Sequence, residues 1–158
     1  PDSMNYRYDN VITLRTFSKA YGLAGIRLGY GFAHESLIAN LMKVKVPFEP
    51  SLIAQSVGVA AIDDQLFLDE TISINTKGLT YLKQEFENLG VKQIPSSANF
   101  ITTIWESENQ ATKIAKALLK KGVIVRQLSG FGWPSFIRIS VGLESENKKC
   151  INSLIEIL

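Results

Sequence analysis

Residues 22–31 contain four glycines at positions 22, 25, 29 and 31, set between two short apolar runs. A glycine in a helix interior costs about 1 kcal/mol relative to alanine, so four in one stretch predict a tight turn and exclude a long helix. On the near side, residues 10–16 are β-branched or apolar at most positions, the pattern of a buried strand. On the far side, residues 26–32 predict a second strand. The first third of the chain is therefore built around a strand, a glycine-rich turn and a return strand.

Beyond this unit the hydrophobic period changes. Leu37, Ile38, Leu41 and Met42 recur at helical spacing over residues 35–43, and Pro47 and Pro50 break the run. Residues 46–50 are the expected hinge. Ser51 stands at an N-cap position ahead of a helix through Ala61, and a longer helix is expected over 64–89, closed by Gly90. After it the order reads strand (98–104), helix (110–121, stopped by Gly122), strand (123–126), loop, strand (137–141) and helix (145–158). Such alternation predicts an α/β sandwich of helices on a small sheet. The expected division is 1–46, connecting helices 47–90, and a small C-terminal domain 91–158.

Composition excludes several classes. With 46% hydrophobic residues in 158, the chain can hold a core and is not disordered. The net charge of +2 comes from scattered basic residues, so no nucleic-acid or membrane partner is expected. No apolar run approaches the roughly 18 residues of a membrane span. The single cysteine, Cys150, can make neither an intrachain disulfide nor a zinc cluster, and a cytoplasmic location is expected. Because the chain opens at Pro1, close before a strand, it reads as a piece of a longer protein.

One lysine stands out by its setting. Lys19 follows a strand directly, with Thr16 and Ser18 before it and Arg27 after the turn. Lysine forms Schiff bases with carbonyl cofactors, while hydroxyls and a forked guanidinium are good donors to a phosphate. This pattern points to a phosphate-bearing cofactor; the alternative is a surface lysine on a β-turn. The other singled-out residues have simpler readings. Tyr21 is expected to pack, and His34, the only histidine, to enter a helix. Cys150 shares a helical face with Ile151, Leu154, Ile155 and Leu158 and is expected in the core, and the Lys120-Lys121 and Lys148-Lys149 pairs are solvated.

The segment TFSKAYGLAGIRLGYG at 16–31 resembles the lysine segment of the class I/II aminotransferases of fold type I, in a form closest to their histidinol-phosphate branch. The resemblance continues through Ser97-Ala98-Asn99-Phe100-Ile101 and GVIVRQLSGFGWPSFIRISVG at 122–142. It implies an α/β fold made of the end of the large cofactor domain (1–46) followed, after the connecting helices, by the small C-terminal domain. It implies pyridoxal 5'-phosphate as cofactor, bound covalently by Lys19, which also shuttles the proton, with Thr16, Ser18 and Arg27 on the cofactor phosphate. Arg138 matches the arginine for the substrate α-carboxylate, Arg126 the one associated with a substrate phosphate, and Asn99 lies in a family-like segment as a further substrate contact. The implied reaction exchanges an amino group between L-histidinol phosphate and 2-oxoglutarate, in a homodimer acting on small molecules.

The family's aspartate for the pyridinium nitrogen has no match here, since Asp2 and Asp9 stand in a different setting. These 158 residues are accordingly expected to be inactive alone. Three alternatives remain at this stage: a threonine-phosphate decarboxylase, against which Ala24 speaks because proline is commoner there; an aromatic aminotransferase; and the aminotransferase-like effector domain of a transcription regulator.

Overall fold

A computed structural model describes Asn5 and residues 8–158; Asp2 lies outside them. The elements run β1 (Ile12–Thr16), β2 (Gly29–Ala33), α1 (Glu35–Val44), α2 (Leu52–Asp63), α3 (Gln65–Asn88), β3 (Lys92–Ile94), β4 (Phe100–Ile104), α4 (Glu108–Lys120), β5 (Arg126–Leu128), β6 (Trp133–Ser140) and α5 (Glu144–Ile155). Short 3₁₀ turns occupy Ala24–Ile26 and Ser129–Phe131. The chain divides into two compact units, one ending at Thr71 and the other spanning Ile72–Leu158.

In the first unit β1 and β2 pair antiparallel from Ile12↔Ala33 to Thr16↔Gly29. The expectation of a buried strand at residues 10–16 is corrected here. Thr13 is the buried residue of β1, whereas Ile12 and Leu14 are 40% and 68% exposed. A ladder of two strands has one neighbour per strand and no covering layer on both faces, so alternate side chains stay in solvent. The second strand also starts later than expected. Residues 24–26 form the 3₁₀ turn and Arg27 is left-handed (φ 58°), which delays extended backbone to Gly29.

Phe17 is the apolar centre of this unit. It is buried against Tyr21 and Tyr30, with ring centroids 4.9 and 5.5 Å away. Tyr21 thus packs as expected. Helix α2 reaches the same centre through Gly58, where a Cβ would lie 2.3 Å from Leu28 Cδ2 and 3.7 Å from Phe17 Cζ. Helix entries follow the sequence signals. His34 Nδ1 accepts from Ser36 N at 3.3 Å, and Ser51 Oγ accepts from Ala54 N at 3.1 Å.

In the second unit a four-stranded antiparallel sheet has the order β3-β4-β6-β5. Ile101, Ile137 and Ile139 face a core completed by Leu82 and Phe86 of α3, Ile114 and Leu118 of α4, and Ile151 and Leu154 of α5. This is the expected sandwich of helices on a small sheet. Strand bounds differ from the sequence reading, and one strand has no counterpart in it. Val123 N bonds the Leu118 carbonyl at 2.9 Å as part of the α4 terminus, so β5 begins at Arg126 and not at 123. β6 extends back to Trp133 because its early residues pair with β4 and β5. β3 has three residues, too few for a periodic signal.

Cys150 is buried, and burial pushes its thiol up to about 11, which leaves little thiolate at neutral pH. Ile155 and Leu158, expected on the same buried face, are 51% and 59% exposed because α5 ends at Ile155. The paired lysines are solvated, with Lys121 on Glu156 and Lys148 on Glu144. Among the described residues, no helix is long and apolar enough to cross a membrane.

Helix α3 packs closely at Gly78. A Cβ there would lie 2.4 Å from Val141 Cγ1 and 2.9 Å from Asn147 Nδ2. Asn147 is buried and committed to the backbone of Gly142, accepting from its N at 2.9 Å and donating to its O at 3.0 Å. Alanine would add about 1 kcal/mol of helix propensity, but overpacking a well-filled contact costs about 1–3 kcal/mol and here also disturbs a satisfied buried amide. Gly78→Ala is expected to lower the stability of the second unit by about 1–2 kcal/mol. Urea unfolding followed at the core tryptophan, Trp105, measures it, and an unchanged or raised midpoint overturns the packing argument.

Candidate active site

The lysine group lies in the first unit on a turn closed by its own backbone. Leu23 N bonds the Phe17 carbonyl and Gly22 N the Lys19 carbonyl, both at 2.9 Å, while Phe17 N bonds Leu28 O at 3.2 Å. Gly22 has φ 68°, a conformation that L side chains rarely adopt. Buried Phe17 therefore anchors a loop that presents its neighbours outward. Thr16 Oγ1 accepts from Ser18 N at 3.0 Å, which leaves its own hydroxyl hydrogen free to donate. Lys19 is exposed, and its amine has no hydrogen bond or ion pair among the described residues.

Arg27 carries a cost. A non-glycine residue in left-handed backbone stores about 1–3 kcal/mol. Its Nη1 donates to the Ala24 carbonyl at 2.6 Å, which pins the side chain over the 3₁₀ turn, and the rest of its fork has no acceptor among the described residues. Within residues 16–27 the fold thus presents an amine, two hydroxyls and a guanidinium.

The arginine group lies in the second unit. Arg126 of β5 and Arg138 of β6 are direct cross-strand partners, so their side chains leave the same face of the sheet, opposite to that of Ile137 and Ile139. Arg138 also faces Thr102 of β4. Each guanidinium lies by an aromatic ring. Arg126 Cζ is 5.4 Å from the Phe131 centroid and Arg138 Cζ is 5.1 Å from that of Phe100. Like charges directly opposed are destabilising, and Arg138 Nε is buried with no acceptor among the described residues. An anion between them removes both penalties.

Asn99 precedes β4. Its carbonyl accepts from Val141 N at 2.9 Å, while its exposed side chain has no hydrogen bond among the described residues. Sequence reasoning passed over Asn75, which donates through Nδ2 to the Ala98 carbonyl at 3.2 Å and leaves a buried Oδ1 without a donor. It also passed over the Phe100 and Phe131 rings. Neither has a sequence signal, since both depend on strands brought together from distant segments. No group of three or more metal-ligating side chains occurs among the described residues.

Residues 5–154 match the family model for aminotransferase class I and II. The chain belongs to this aminotransferase family. Histidinol-phosphate aminotransferase 2 of Ralstonia nicotianae is 43% identical over 149 residues, covering 94% of this chain and 40% of that protein. The histidinol-phosphate aminotransferase of Moorella thermoacetica is 43% identical over 149 residues, covering 94% of this chain and 38% of that protein. Among solved structures, the Sinorhizobium meliloti histidinol-phosphate aminotransferase in complex with pyridoxal 5'-phosphate superposes with a TM-score of 0.85 at 29% identity, over 94% of this chain and 41% of that one. The chain thus spans about 40% of the length of these relatives. The α/β fold and the family expected from residues 16–31 and 122–142 are those found.

Aminotransferases of this family use pyridoxal 5'-phosphate, and the residues present fit it. The cofactor offers an aldehyde, matched by the unpaired Lys19 amine, and a phosphate, matched by the hydroxyls of Thr16 and Ser18 and the unused donors of Arg27.

Proposed function

We propose that the protein carrying this chain is a transaminase that moves the amino group of L-histidinol phosphate to 2-oxoglutarate, as a cytoplasmic homodimer. The observation that carries this reading is the opposed pair Arg126 and Arg138, one with a buried donor lacking an acceptor. Such a pair suits a phosphorylated donor and a dicarboxylate acceptor, each of which brings an anion to it. Relatives named histidinol-phosphate aminotransferase over nearly the whole chain support the same substrate class. Exposed Leu14, Phe48 and Leu52 support further association, and the single buried thiol accords with a reducing compartment.

When bound, pyridoxal 5'-phosphate supplies the carbonyl that takes the amino group and the conjugated ring that spreads the electron pair left at Cα. Thr16, Ser18 and Arg27 hold its phosphate through charge-assisted hydrogen bonds. Lys19 Nζ would hold it covalently and would carry the proton between substrate Cα and the cofactor's C4′. Arg138 grips the α-carboxylate of the glutamate/2-oxoglutarate pair, and Arg126 the phosphate of histidinol phosphate, so each substrate is oriented through one of its anionic groups. Asn99 is a further substrate contact at the start of β4.

Cofactor-loaded protein, reduced with borohydride and digested, is expected to carry the pyridoxyl group on the peptide containing Lys19. Mass spectrometry of the digest checks it. A label on another lysine, or on none, overturns the assignment of the cofactor lysine.

A further inference from the structure

The β5–β6 ladder that carries the two arginines is irregular one residue past Arg126. Gln127 pairs with Ile137, but Leu128 pairs with Trp133, so residues 134–136 of β6 bulge out of register. A bulge leaves backbone groups without ladder partners. Here a side chain supplies one of them: Gln127 Nε2 donates to the Pro134 carbonyl at 2.8 Å. The same nitrogen donates to Thr112 Oγ1 at 2.9 Å, and the Thr112 hydroxyl donates to Gln127 Oε1 at 3.1 Å. Thr112 sits on α4 beside Ala111, which is fully buried, and two turns before buried Leu118. The amide of Gln127 therefore ties the bulge to a helix rooted in the core.

This clamp lies on the opposite face from Arg126. What it controls is the segment between its attachments, residues 128–134, which includes Phe131 beside the Arg126 guanidinium. A one-residue slip in a strand pair turns every side chain to the other face. A displaced bulge would take Arg126 off the face of Arg138 and Phe131 away from Arg126.

We propose that Gln127, held by Thr112, is the positioning residue of the anion-binding arginine pair: it pins the β5–β6 bulge so that Arg126 stands opposite Arg138. The inference rests on the anionic-substrate reading above, and its test separates the two. The probe is inorganic phosphate, titrated into the 158-residue chain while the Arg126 and Arg138 Nε–Hε resonances are followed by NMR. The parent chain is expected to show saturable shifts of both signals. Gln127→Met, which keeps volume and removes all three hydrogen bonds, is expected to raise the phosphate Kd at least about fivefold, as is Thr112→Val to a smaller degree, while Thr112→Ser restores the parent value. Core amides of Ile101, Ile137 and Ile151 serve as the folding control, and Thr112→Val decides the matter if Gln127→Met loses them. Parent-like phosphate binding in Thr112→Val and in a folded Gln127→Met, even with lowered stability, overturns the positioning role alone. Absence of any saturable shift in the parent chain overturns the anion reading itself and this inference with it.

Discussion

Lys19→Ala is expected to abolish transamination, with kcat/KM falling by more than about 10⁴-fold for every donor. General acid–base catalysis by a positioned side chain contributes about 10²–10⁴-fold, and in the proposed assignment the same amine also carries the cofactor, so both contributions would vanish together. A 10⁴-fold loss corresponds to about 5.5 kcal/mol of transition-state stabilisation. Among the described residues the structure gives no candidate to take over: the amine stands alone on the turn after β1, and the neighbouring groups that fit the cofactor are two hydroxyls and a guanidinium. Single-turnover measurements on cofactor-loaded protein, with glutamate and with histidinol phosphate, check it. Small exogenous amines are expected to restore part of the rate, because they replace the proton shuttle and not the tether. Turnover within tenfold of the parent sinks the assignment.

The second large effect separates the two arginines. Arg138→Ala is expected to cripple the half-reaction with glutamate and to affect histidinol phosphate less, since that donor has no carboxylate. Arg126→Ala is expected to do the reverse and to remove about 2–5 kcal/mol of transition-state binding for the phosphorylated donor, the range for losing one partner of a desolvated charge pair. The environments of the two support unequal roles. Arg138 is half-buried in the middle of the sheet with an orphaned Nε, while Arg126 is exposed on the edge strand beside Phe131. Equal losses with both substrates in both variants overturn the division of labour.

Much of this chain was legible because its signals are local. Four glycines within residues 22–31, Ser51 ahead of α2, and Gly90 and Gly122 after α3 and α4 each act over a few residues, and elements stand where they predict. The lysine group is of the same kind. Thr16, Ser18, Lys19 and Arg27 occupy one turn, so chain order already brings them close, and the family resemblance reads them directly.

The misplaced strand bounds and the unseen contacts have the opposite character. Nothing between Arg126 and Arg138, twelve residues apart, states that they face each other; strand register decides that, and the amide of Gln127 beside the bulge is bonded to a threonine of α4. Strand 10–16 looked buried because apolar residues record a capacity for burial, whereas actual burial depends on which layer covers them. The sequence by itself determined the helices, the turns and the close grouping of Lys19 with Thr16, Ser18 and Arg27, since caps, glycines and adjacent donors act over one or two turns of chain. Tertiary structure alone decided strand register, the aromatic ring beside each guanidinium and the opposition of the two arginines, because hydrogen-bonded pairing joins residues whose separation along the chain carries no information about which will meet.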